Sequence, residues 1–103
     1  MNKKILIMII LIIIVVGSSF AFIYYKKSST KNSVVEYLTT EKNIPKKNII
    51  QSKPFIANLK GNKNYMVSVK LKNDNKTYYY YKDNGKVILE SYVKNGKEHV
   101  INK

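Results

Sequence analysis

Residues 5–16, ILIMIILIIIVV, contain no polar side chain, and after Gly17, Ser18 and Ser19 the apolar run resumes through Phe20, Ala21, Phe22, Ile23, Tyr24 and Tyr25. As a helix rising about 1.5 Å per residue, residues 5–25 extend about 31 Å, matching a hydrocarbon core of about 30 Å. The β-branched residues make a poor helix in water. In lipid each unpaired backbone group is costly, so a helix is the conformation that satisfies them all. Residues 5–25 are therefore expected to be a transmembrane signal-anchor helix, preceded by a cytoplasmic tail over residues 1–4. Tyr24 and Tyr25 followed by Lys26 and Lys27 suit the bilayer interface, with rings at headgroup level and ammonium groups in water.

Lys3 and Lys4 on one side are balanced by Lys26, Lys27 and Lys31 on the other, so positive charge sets no clear orientation. A short tail before a first apolar segment usually stays in the cytoplasm, so the C-terminal part is expected to be extracytoplasmic and the chain a single-pass cell-membrane protein. The alternative is a signal peptide cleaved after Ala21, at the small-x-small site Ser19-Phe20-Ala21; continuation of the run to Tyr25 favours retention. The chain has no cysteine, which excludes disulfides, thiolate-bound zinc and an acylated cysteine anchor.

Residues 26–32, KKSSTKN, read as a juxtamembrane linker, and residues 33–101 as a small extracytoplasmic domain. About 70 residues without a covalent staple lie near the lower limit for a self-sufficient core. Charge is the other constraint. Of the 103 residues, 19 are basic and all of these are lysine, and the net charge is +13; beyond residue 25 there are 17 lysines against six acids, a net +11. Such a field attracts phospholipid headgroups, phosphate-rich wall polymers or nucleic acid. A coding bias towards Lys, Asn, Ile and Tyr would enrich the same residues without function.

Ser33-Val34-Val35-Glu36 matches a capping box, and Val34, Tyr37 and Leu38 then share one helical face. That helix should end near Asn43, with Ile44 making a closing contact and Pro45 preventing continuation. Beyond it the period becomes two. Residues 49–59 are a candidate strand interrupted or placed at an edge by Pro54, and Tyr65, Val67, Val69 and Leu71 alternate with Met66, Ser68 and Lys70. Residues 77–82 and 87–93 follow as strands, with Val87, Leu89 and Val93 expected to face inward. Asn95-Gly96 is a hairpin signal that can add a short last strand over residues 98–101. The expected fold class is α+β: an N-terminal transmembrane helix, then one helix packed on a three- to four-stranded antiparallel meander.

The succession Val34-Val35-Glu36-Tyr37-Leu38, then Asn43-Ile44-Pro45-Lys46-Lys47-Asn48-Ile49, then Tyr65-Met66-Val67-Ser68-Val69, then Tyr78 to Tyr81, resembles an uncharacterised family from low-GC Gram-positive bacteria, domain of unknown function 3139. The likeness runs from the anchor to about Tyr92. It implies a short membrane-anchored protein with an exported domain, and it supplies no activity, cofactor or site. The helix-then-strands order is also similar, by analogy of fold, to PepSY-type envelope domains.

Chemistry is sparse. His99 is the only imidazole, a metal site needs three or four ligands, and no carboxylate pair is spaced for acid–base work. No catalytic residue, metal or cofactor is expected. The four tyrosines Tyr78 to Tyr81 alternate between faces, so one pair should join the core. The other pair, taken as Tyr79 and Tyr81, would form a possible binding surface with Lys70, Lys72 and Lys82, where rings beside ammonium groups stack on sugars or bases. Cross-strand packing alone is the competing account. The expected function is non-enzymatic: an anchored envelope domain contacting a membrane protein, an anionic wall polymer or a lipid surface. A nucleic-acid module for DNA uptake or transfer, against which export argues, and an inhibitor or immunity protein acting through a strand edge are the alternatives.

Overall fold

The computed structural model describes residues 2–101; Met1, part of the expected 1–4 tail, lies outside them. One helix, α1, runs without a break over Lys3–Thr40, and five strands follow: β1 Ile49–Ile56, β2 Tyr65–Leu71, β3 Lys76–Asp83, β4 Lys86–Lys94 and β5 Lys97–Val100. All neighbouring strands are antiparallel and the sheet order is β1-β2-β3-β4-β5. The fold is therefore α+β, with five strands rather than three or four. Pro54 is tolerated because β1 is an edge strand, and Asn95-Gly96 does build the last hairpin.

The expected linker is helical. Asn2 caps α1 by accepting the Lys4 amide at 3.1 Å, so Ser33 lies inside the helix and its capping box with Glu36 does not form. No Pro occurs before position 45, and no Gly between positions 17 and 61. A helix already nucleated by the apolar run therefore propagates through residues 26–32 at one hydrogen bond per residue. Packing reinforces it: Thr30, Val34 and Leu38, spaced by four, form the buried stripe of α1. Thr30 also returns its hydroxyl to the Lys26 carbonyl at 2.8 Å.

The regular helix stops at Thr40. Asn43 turns into the left-handed region with φ 54°, the Ile44 amide donates to the Leu38 carbonyl at 3.0 Å, and Ile44 packs on the core, closing the helix as its sequence suggested. The core lies between α1 and the sheet, where Val34, Leu38, Val67, Val69 and Tyr80 are buried and Tyr37, Ile49, Leu71, Tyr78, Val87 and Leu89 surround them. Each fully buried aliphatic side chain there contributes about 1.5–3 kcal/mol.

Register decides which side chains share a face. A bulge at Glu90 lets Tyr79 pair with Ser91 while Tyr80 pairs with Leu89. Val87 and Leu89 consequently face the helix, but Val93, opposite Thr77, turns to the outer face, contrary to unbroken alternation. Both two-residue hairpin loops are Asn-Gly with positive φ at both positions: Asn84 and Gly85 at 51° and 78°, Asn95 and Gly96 at 53° and 75°. These are the left-handed pairs that match strand twist.

Candidate functional site

The helix-facing side of β3 carries Tyr78, Tyr80 and Lys82, and the outer side carries Tyr79 and Tyr81. Lys82 thus leaves the expected surface. Its ammonium donates to the hydroxyls of Ser29 and Ser33 at 3.3 and 3.2 Å, fastening the end of β3 to the helix. Tyr81 is buried on the outer side, with the Lys63 ammonium 5.7 Å from its ring centroid and that same ammonium 3.2 Å from the Glu90 carboxylate. Tyr79 meets Phe55 edge to face at 5.9 Å. Lys70 is exposed on this side, and Lys72 is exposed in the β2–β3 turn. Of the five expected residues, Tyr79, Tyr81 and Lys70 share a face, and Tyr81 has little surface to offer a ligand.

A denser juxtaposition of rings and lysines lies elsewhere. α1 covers mainly β1 to β3, so the helix-facing side of β4 and β5 continues beyond it. There Tyr78, Tyr92 and His99 are cross-strand neighbours. Tyr78 and Tyr92 have ring centroids 6.2 Å apart, and Tyr92 stacks on His99 at 4.8 Å with 15° between planes. One row further out, Lys76 pairs with Lys94 and Lys94 with Lys97. The Lys76 ammonium sits 5.0 Å from the Tyr92 ring centroid.

Three lysines directly opposite one another across adjacent strands repel, a cost the turn does not require. The β3–β4 hairpin closes the same Asn-Gly loop with the opposite pair Asp83 and Lys86. Asp74 offsets part of the charge. It accepts the Lys76 amide at 2.9 Å and the Tyr78 hydroxyl at 2.7 Å, and these bonds, with Lys76 and Lys94 nearby, hold its carboxyl below the usual range. Burial, then the Asp74 carboxylate, pushes the Tyr78 phenol up to about 12; burial, with Tyr37 beside it, does the same to Tyr80.

Sequence reading missed this row because it depends on register across three strands. The available signal was a lysine at each end of the Asn95-Gly96 turn. Among the described residues no group of three or more His, Asp or Glu side chains converges as a metal site would need. A groove along the seam of α1 and β1 is lined by Lys31, Glu36, Thr39 and Lys46.

The fold defines a class: a helix long and apolar enough to cross a membrane, continuous with the support of a five-stranded antiparallel meander. No protein-family model, curated protein or solved structure matches the chain. The likeness to domain of unknown function 3139 rests on the residue succession alone, and the PepSY analogy on the order of elements alone.

Proposed function

We propose that the chain is a single-pass, membrane-tethered protein whose sheet domain lies outside the cytoplasm and binds, without catalysis, a phosphate-bearing anionic polymer of the cell envelope. Membership of the family it resembles belongs to the same proposal. The carrying observation is the row Lys76-Lys94-Lys97, only partly offset by Asp74, beside the Tyr92-His99 stack. Phosphates spaced along a polymer can meet successive ammonium groups, and the rings give its sugar or polyol units an apolar surface. The row lies at the sheet end away from Tyr25, where a polymer rather than the bilayer is within reach.

The test is binding of a glycerol-phosphate polymer to the full chain in neutral-lipid nanodiscs. Changing Lys76, Lys94 and Lys97 together to Gln should weaken binding at least tenfold. The same change at Lys46, Lys47 and Lys53, which leaves equal net charge, should cost less than threefold. Wild-type affinity should fall about tenfold between roughly 50 and 200 mM salt as counterions cease to be released. Equal losses for the two triple variants would sink the site.

A further inference from the structure

We infer an anionic-phospholipid site in the groove between the first turns of α1 beyond Tyr25 and the β3–β4 hairpin, resting on the tethered reading above. The phosphate of one lipid headgroup is held there by the Lys82 and Lys26 ammonium groups. Lys82 is partly buried, and among the described residues its ammonium donates only to the neutral hydroxyls of Ser29 and Ser33, at 3.3 and 3.2 Å. No carboxylate among these residues pairs with it. Asp83, the next residue, accepts from Asn62 at 2.7 Å instead, and Glu90 pairs with Lys63. A cation withdrawn from water without a counter-charge is costly, and the third ammonium hydrogen is left for a ligand. A bound phosphate meets both needs.

The groove around that ammonium encloses about 350 Å³, within the range of ligand pockets. Ser29 and Thr30 line it from the helix, Tyr65 from the start of β2, Asn62 from the turn before it and Asn84 from the β3–β4 turn. Its charged lining is Lys26 and Lys82, with no acid. By contrast, Glu36 lines the other grooves along α1, and Glu90 and Glu98 line the one on the outer face of the sheet. Position selects a lipid over a soluble phosphate. Tyr25 lines the same groove, and the Lys26 ammonium reaches back over the Phe22 ring, 5.8 Å from its centroid. Ser29 and Ser33 follow Tyr25 by four and eight residues, about 6 and 12 Å along the axis, against about 5–7 Å for one headgroup layer. With Tyr25 at the edge of the hydrocarbon, the groove spans the level at which lipid phosphates stand. Lys82, bonded to Ser29 and Ser33, lies on the side away from the hydrocarbon, where the Asn62 and Asn84 amides suit the hydroxyls of a glycerol headgroup.

The test places the full chain in nanodiscs of phosphatidylcholine with phosphatidylglycerol as the minor lipid, then counts by native mass spectrometry the lipids kept when the protein is released. The wild type should keep phosphatidylglycerol in preference to the more abundant phosphatidylcholine. Lys82→Gln, whose amide still reaches Ser29 and Ser33, should cut that retention about tenfold. Asn84→Asp leaves the Lys82 bonds in place, suits the left-handed φ of 51° and sets a carboxylate at the groove, so it should do the same. Lys86→Gln, an equal charge change on the same hairpin outside the groove, should leave retention within about twofold. Wild-type retention in both groove variants overturns the site and leaves the anchor standing. Equal loss in Lys86→Gln also overturns it, since the overall field would then account for the attraction. Displacement of the lipid by millimolar glycerol phosphate assigns the groove to soluble phosphate and overturns the lipid. A chain that does not enter the discs overturns the tethered reading and the site with it.

Discussion

Truncation separates a domain that begins at Ser33 from one that borrows its helix from the anchor. A fragment starting at Ser33 loses Thr30, which is 5% exposed against the sheet, and the Ser29 acceptor of Lys82. The lost Thr30 methyl costs about 0.8 kcal/mol and the Lys82 bond about 1 kcal/mol. Residues 33–40 become an isolated two-turn helix that must bear its own nucleation. Against this, Ser33 becomes free to cap with Glu36, regaining about 1 kcal/mol. The net expectation is a fragment about 1 kcal/mol less stable than one starting at Lys26. That matters in a domain of this size, whose whole stability is about 3–10 kcal/mol. With a urea slope near 1 kcal/mol per molar, the midpoint should differ by about 1 M. Urea titrations of the two soluble fragments by circular dichroism measure this. Coincident midpoints would refute the claim that residues 26–32 belong to the folded unit.

Val67→Asp should unfold the domain, since Val67 is fully buried and an unpaired buried carboxylate costs several kcal/mol; Ser68→Asp, on the other face opposite Lys53, should change stability by less than about 1 kcal/mol, and thermal melts of both variants decide. Because Tyr78 and Tyr80 are raised to about 12, their contribution is intact below about pH 10 and is lost as pH climbs towards 12; tyrosinate absorbance should show late-titrating phenols, with one fewer in Tyr80→Phe. Asp74 is lowered, so its contribution is present above about pH 4 and is lost as pH falls through its folded value; Asp74→Asn should remove that acid sensitivity. Gly96→Ala, at φ 75°, should cost about 1 kcal/mol and speed amide exchange in β5, while leaving β2 protected.

The strands were legible because period-two alternation and Asn-Gly turns are local signals; β2 is the clearest case, from Tyr65 to Leu71. The same alternation already placed Lys82 with Tyr78 and Tyr80, and grouping it with Tyr79 and Tyr81 overlooked that parity. Val93 went the other way: the Glu90 bulge adds one residue to β4, and nothing local marks it. The segment KKSSTKN looked like a linker because its composition is that of one, yet helix propagation and a four-residue stripe from Thr30 to Leu38 outweighed side-chain preference. Of the candidate surface, the facing of Tyr79, Tyr81 and Lys70 was readable within single strands. The lysine row was not, since Lys76 lies 18 positions from Lys94, the partner that register brings beside it, and Lys97 joins only through the next strand pairing.

The unbroken α1 also acts as a lever. With residues 5–25 in the bilayer, as proposed, it would project about 22 Å from Tyr25 to Thr40, so a change of about 10° in its lean would carry Thr40 sideways by about 4 Å. Lean responds to bilayer thickness, since a hydrophobic stretch longer than the hydrocarbon layer tips to fit. With the sheet locked to the helix by Lys82, Val34 and Leu38, thinning or thickening of the lipid would be converted into a displacement of the entire sheet. In a chain tethered this way, lipid composition would set where the lysine row points.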